Sequence, residues 1–160
     1  GYWMKFPNQS SYVAVGDERS IDTVDVDSKW NMVGTLSFPI AATNVGSIPQ
    51  GNIATAFFGY DNETGYFTAD TLLPLRAYWV KMNASGQLIM NVSGFQKLRK
   101  KDATSINVDK LNSLYFRNAS GAQQQLHFGR LQNQSLDLSW YELPPSPPFS
   151  SLDVRYASDD

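Results

Sequence analysis

Between residues 30 and 90 apolar and polar positions alternate or cluster over strand lengths, and each run ends at residues that turn the chain. That pattern predicts antiparallel β-structure. Along residues 53–60, Ile53, Thr55 and Phe57 fall on one side and Ala54, Ala56 and Phe58 on the other, so both faces are largely apolar and a central strand is expected. Asp61-Asn62-Glu63-Thr64-Gly65 then reads as a turn, because Asp and Asn cap their own turns and Gly65 takes positive φ without steric cost. A hairpin into residues 65–69 should follow. Residues 21–27 alternate imperfectly, with Asp22, Val24 and Val26 opposing Ile21, Thr23, Asp25 and Asp27, as on an edge strand. Cleaner alternation returns later: Leu114 and Phe116 against Tyr115 and Arg117, Leu126 and Phe128 against Gln125 and His127, Leu136, Leu138 and Trp140 against Asp137 and Ser139. Asn118-Ala119-Ser120-Gly121 is the turn between the first two of these. Residues 143–148, Leu-Pro-Pro-Ser-Pro-Pro, must run as polyproline II, and residues 152–156 have the pattern of a last strand. No stretch sustains a helical period.

The fold expected from this pattern is all-β, an antiparallel β-sandwich with little helix, a closed β-barrel being the alternative. Its core should draw on Trp30, Val33, Phe57, Phe67, Trp79, Ile89, Leu114, Phe116, Leu126, Phe128 and Leu138.

Composition narrows the partners. With 160 residues and 42% hydrophobic content the chain can bury one real core. Charged residues make up 18% and the formal net charge is -2, so there is no electrostatic footprint for nucleic acid or an anionic membrane. The basic cluster at residues 96–102 is short and lacks interleaved aromatics, as in a solvated connector. Zero cysteines removes disulfides, thiolate metal sites and Cys nucleophiles together. No apolar run reaches the ~20 residues of a membrane span, so membrane insertion is not expected.

Gly1-Tyr2-Trp3-Met4-Lys5-Phe6 matches Ala77-Tyr78-Trp79-Val80-Lys81-Met82 position by position, and each is followed by a polar turn and a second apolar run at the same spacing. A period this long suits duplication of a β unit. Residues 1–27 are therefore expected to end a preceding repeat, packed on a β unit at 28–95 and a second at 96–160, in one compact domain. A chain opening on Gly-Tyr-Trp is expected to be a piece of a longer protein.

Chemistry is thin. If Asp25 opened an EF-hand loop, Lys29 would occupy a ligand position and Trp30 the glycine's, so that motif fails; Asp25 and Asp27 remain weak candidates for a surface calcium, and no other cofactor is expected. His127 is the sole residue suited to act as a neutral-pH base, and it sits on an alternating strand with no Gly-x-Ser-x-Gly elbow in the chain. A non-enzyme is the expectation.

Trp30-Asn31-x-Val33-Gly34, Phe58-Gly59-Tyr60-Asp61 with Gly65-Tyr66, Ala77-Tyr78-Trp79-Val80-Lys81, Leu126-His127-Phe128-Gly129, and the Pro-rich segment with Leu152-Asp153-Val154-Arg155-Tyr156 resemble C-terminal β modules of large secreted proteins of Bacteroidota and Chlorobi lineages, in which a type IX sorting domain often lies downstream. The resemblance implies export and cell-surface attachment, and it carries over no active-site residue. This sequence departs from it at Leu75 and Ala77, where the pattern usually has glycines.

Aromatic residues make up 13% of the chain, and flat rings that cover sugar C–H surfaces beside amide hydrogen bonds are how proteins hold polysaccharide. The functional expectation is accordingly a non-catalytic, carbohydrate-binding module with candidate contacts Tyr2, Tyr66, Tyr78, Trp140 and Tyr141. The alternative is a structural or adhesive spacer, its partners the neighbouring domains of its parent chain.

Overall fold

The computed structural model describes residues 1, 3, 4, 6–8, 11, 13, 15–94, 111–130, 142–148 and 152–156. Among them lie eleven strands: β1 (Ile21–Val26), β2 (Lys29–Val33), β3 (Ile40–Ala41), β4 (Val45–Ile48), β5 (Phe58–Asp61), β6 (Gly65–Thr68), β7 (Thr71–Leu72), β8 (Tyr78–Met82), β9 (Gly86–Asn91), β10 (Asn112–Arg117) and β11 (Gln123–Phe128). One 3-10 turn, Ala42–Asn44, stands between β3 and β4. A three-stranded sheet, β1-β9-β4, faces a four-stranded sheet, β2-β8-β5-β6, with every pairing antiparallel. The fold is an antiparallel β-sandwich, and no barrel closes among the described residues.

Strand alternation builds the core. Tyr78, Val80 and Met82 of β8 and Leu88 and Met90 of β9 point into the space between the sheets, joined by Val26, Val33, Val45 and Phe57. Ile40 and Leu72 enter from the short β3–β7 ribbon. The Tyr78 hydroxyl, carried inward with its ring, accepts the Leu73 backbone N–H at 2.9 Å, so its polar end is not left bare.

Two arches connect the sheets. β1 passes to β2 through residues 27–28, and β8 to β9 through 83–85, while β1 pairs with β9 and β2 with β8. Each arch is clasped by an asparagine. Asn31 Oδ1 accepts from Asp27 N at 2.9 Å and its Nδ2 donates to the Asp27 and Lys29 carbonyls. Asn52, buried, exchanges amide bonds with both N–H and C=O of Ala84 at 2.8 and 2.6 Å. Ser28 N–H donating to Ser85 Oγ ties one arch to the other.

The hairpin expected at 61–65 is present. Asp61 Oδ1 accepts the Glu63 and Thr64 N–H groups, and Gly65 has φ +76°, left-handed as the turn requires. The strand expected from residue 53 starts only at Phe58. Ile53 bridges Met82 and Phe58 pairs Trp79, so five residue steps lie opposite three, and the excess bulges out. Thr55 covers the gap: its Oγ1 accepts the Lys81 N–H at 3.0 Å where a ladder carbonyl would stand.

Several expected core residues belong elsewhere. Val33 and Phe57 are buried, but Trp30, Trp79 and Ile89 alternate onto the outer faces and are half-buried there. Phe67 is exposed, its ring lying across Gly59 on edge strand β6 of the wider sheet. On the separate β10–β11 hairpin, Leu114 and Phe128 are exposed and Phe116 and Leu126 half-buried, because two strands cannot enclose a core of their own. Leu138 lies outside the described residues.

Leu75 follows Pro74 in the turn before β8 with φ +61°, a left-handed conformation that costs a non-glycine residue ~1–2 kcal/mol. Its side chain is 91% exposed and offsets none of that. Leu75→Gly is expected to stabilise the fold by ~0.5–1 kcal/mol net of glycine's extra unfolded-state freedom. A raised urea midpoint at unchanged slope is the readout.

Candidate functional site

Cross-strand partners share a face, so the register locates the outer side of the four-stranded sheet: Trp30 beside Lys81, Met32 beside Trp79, Trp79 beside Phe58, and Tyr60 beside Tyr66. The rings form a continuous patch. Trp30 meets Phe58 and Trp79 edge-on at 6.0 and 6.5 Å, Tyr60 meets Tyr66 at 5.2 Å, and Trp3 stands edge-on to Tyr60 at 5.2 Å.

The chain covers this patch itself. Glu142 receives the Trp30 indole N–H on Oε1 at 3.3 Å and forms an ion pair with Lys81 through Oε2. Three residues on, the Pro145 carbonyl accepts the Tyr66 hydroxyl at 2.6 Å. The Pro-rich segment therefore crosses from β2 and β8 to β6 over the intervening β5, whose Phe58 is buried although it takes no part in the inter-sheet core. Arg155 holds the segment as well. Its guanidinium donates to the Pro144 carbonyl at 3.0 Å and engages Asp153 at 2.8 and 2.9 Å.

This enclosure alters the phenols. Burial pushes Tyr66 up to about 12, an effect partly countered by the Arg155 charge and reinforced by Asp153 and Tyr60. The buried Trp79 indole N–H lacks a hydrogen bond of regular geometry, yet it favours the Tyr66 phenolate slightly, the least of these influences. Tyr60 is raised by burial and then by the Asp153 and Asp61 charges. Because the folded state keeps the Tyr66 proton longer than the unfolded chain, stability contributed by the neutral phenol is lost as pH rises from about 10 to about 12. A phenolate absorbance titration should show one late-titrating tyrosine near 12, absent from Tyr66→Phe, with a shallower alkaline loss of stability in that variant.

The sequence candidates fare differently. Tyr66 is half-buried with its hydroxyl committed to Pro145. Tyr78 is not a surface residue at all, since β8 alternation sends it inward and turns Trp79 out. Tyr2, Trp140 and Tyr141 lie outside the described residues. Asp25 is exposed and accepts from Gln87 Nε2 at 2.8 Å; Asp27 is fixed through its backbone to Asn31. Among the described residues no group of three or more His, Cys, Asp or Glu side chains is placed to hold a metal.

One surface was missed. On the polar face of the β10–β11 hairpin Tyr115 is 72% exposed, and Gln125 Nε2 donates to both its hydroxyl at 3.1 Å and Ser113 Oγ at 2.9 Å. His127 Nδ1 lies 3.2 Å from the same Ser113 oxygen. The result is a row of His127, Ser113, Gln125 and Tyr115, a fixed ring beside amide, hydroxyl and imidazole groups. The hairpin is fastened by Gln123 N–H to the Glu63 carbonyl, by Gln124 bonded through its amide to both backbone groups of Val154, and by the Tyr156 hydroxyl to the His127 carbonyl. The alternation of residues 114–117 and 125–128 was legible, but a four-residue turn at 118–121 would set Tyr115 opposite Gln124; five residues, 118–122, connect the strands, and that extra residue brings Gln125 opposite Tyr115.

No family model, no curated protein and no solved structure matches the chain.

Proposed function

We propose that this chain is a non-catalytic β-sandwich module of a secreted or cell-surface bacterial protein, and that its task is structural: holding and spacing the neighbouring domains of its parent chain. What supports this reading most is the use made of the aromatic surplus. Trp30, Phe58, Tyr60, Tyr66 and Trp79 form one patch, and the chain's own proline segment closes it. The motif residues behave alike: Asn31 clasps an arch, Asp61 caps a hairpin, Tyr78 fills the core and Lys81 pairs with Glu142. Each role is in the service of the fold.

A second reading, polysaccharide binding, is favoured by the row at Tyr115. A ring fixed by Gln125 covers sugar C–H surface at little entropic cost, and Ser113, Gln125 and His127 offer replacements for the hydration of hydroxyl groups. The two readings part in a pull-down on insoluble cellulose, chitin and xylan. A spacer is left in the supernatant on all three. Retention of the wild type and its loss in Tyr115→Ala, with the fold unchanged by circular dichroism, would replace the structural reading with the carbohydrate one.

A further inference from the structure

The segment on the aromatic face is bound as a ligand is bound. Pro144 and Pro147 are buried while Pro145 and Ser146 between them are exposed, a period of three. Three residues per turn is the repeat of polyproline II, whose backbone makes no internal hydrogen bonds and so offers its carbonyls outward. Here those carbonyls are taken by side chains of other elements: Pro144 by Arg155 and Pro145 by Tyr66. An acid two residues ahead of the first buried proline, Glu142, fits between the Trp30 indole N–H and the Lys81 ammonium group. Aromatic rings, hydrogen bonds to proline carbonyls and a charge contact at one end are the general means by which proteins read proline-rich segments, exploiting a conformation that costs little entropy to fix.

We propose that the outer face of the four-stranded sheet is a receptor for a polyproline II segment of the pattern Glu-x-Pro-x-x-Pro, that residues 142–148 are its internal ligand, and that the same segment of a second copy of this chain takes the same seat. The occupant follows from the structure, since the sequence Glu-Leu-Pro-Pro-Ser-Pro-Pro is already seated there and every copy carries one. Exchange between copies requires no new contact. In the single chain the tethered segment competes at millimolar effective concentration, so external binding is suppressed until the tether's grip is weakened. The proposal does not depend on whether the Tyr115 row meets polysaccharide, which lies on a different element.

The test uses the full chain and a synthetic peptide of residues 142–148, labelled for anisotropy. Glu142→Lys and, separately, Pro144→Ala with Pro147→Ala loosen the internal ligand while leaving Trp30, Tyr66, Lys81 and Arg155 in place. Both variants are expected to bind the peptide at least about tenfold more tightly than the wild type. Binding should shift the Trp30 indole N–H resonance, and a peptide with lysine for the glutamate and alanine for the two buried prolines should not compete. Failure of the peptide to bind either variant while both keep the wild-type circular dichroism spectrum overturns the proposal. So does equal binding of the altered peptide. Loss of cooperative unfolding in both variants would make the segment part of the folding core, and would overturn it as well.

Discussion

Leu88→Ala is expected to lower the unfolding free energy by ~3 kcal/mol, within the ~2–5 kcal/mol span of buried leucine truncations. Leu88 is fully buried at the middle of β9, the central strand of its sheet, and it points toward the inward side chains of the facing sheet. Its sequence neighbour Ile89 points the other way and is only half-buried. Ile89→Ala should therefore cost ~1 kcal/mol, the share of transfer free energy that partial burial provides. Urea unfolding of the two variants tests the alternation directly, because a one-residue slip of β9 against β1 and β4 would exchange the two side chains between faces. Equal losses would contradict the register, and a larger loss at Ile89 would reverse it.

How far such a pattern can be read from sequence differs by element. The class of fold, the edge strand at 21–27, the hairpin at Asp61 and the hairpin turn at 118–121 follow from local rules: period two, Asx capping and the residues that tolerate unusual φ. Which face of β8 is the inner one does not. In Tyr78-Trp79 both rings suit a core, and alternation states only that they oppose each other. The choice is made by β9, whose Leu88 and Met90 need a facing layer, and by Glu142, which takes the Lys81 ammonium on the outer side. Glu142 is 61 residues from Lys81 and 112 from Trp30, a separation that no local signal spans. The same holds for the patch as a whole. Its rings were countable in the sequence, but their enclosure by residues 142–148 is a long-range event, so Tyr66, expected at an open surface, and Trp30 and Trp79, expected between the sheets, meet instead under the proline segment on the outer face. Thr55 is a smaller case, for a threonine in an apolar run gives no sign that its hydroxyl will replace a backbone carbonyl in the ladder.

Gly86→Ala is expected to cost ~3 kcal/mol, although the change adds a single methyl group. Gly86 opens β9 just after the arch at 83–85, where the edge strand β4 comes alongside. A Cβ at this position would stand 2.1 Å from the Ile48 carbonyl oxygen and 3.1 Å from its carbon, a collision with backbone that no rotamer change relieves. Nor can β9 move away. Gly86 is paired with Val26 on its other side, so retreat from β4 would break the β1 ladder and disturb Val26 in the core. The arch gives no slack either, since Asn52 fixes Ala84 through both backbone groups. Gly34 is the control, because nothing lies within 4 Å of the Cβ it lacks; Gly34→Ala should stay within ~0.5 kcal/mol of the wild type, as surface substitutions do. Thermal and urea unfolding of both variants would decide the matter, and a Gly86→Ala protein as stable as Gly34→Ala would show that β4 is not seated against the start of β9.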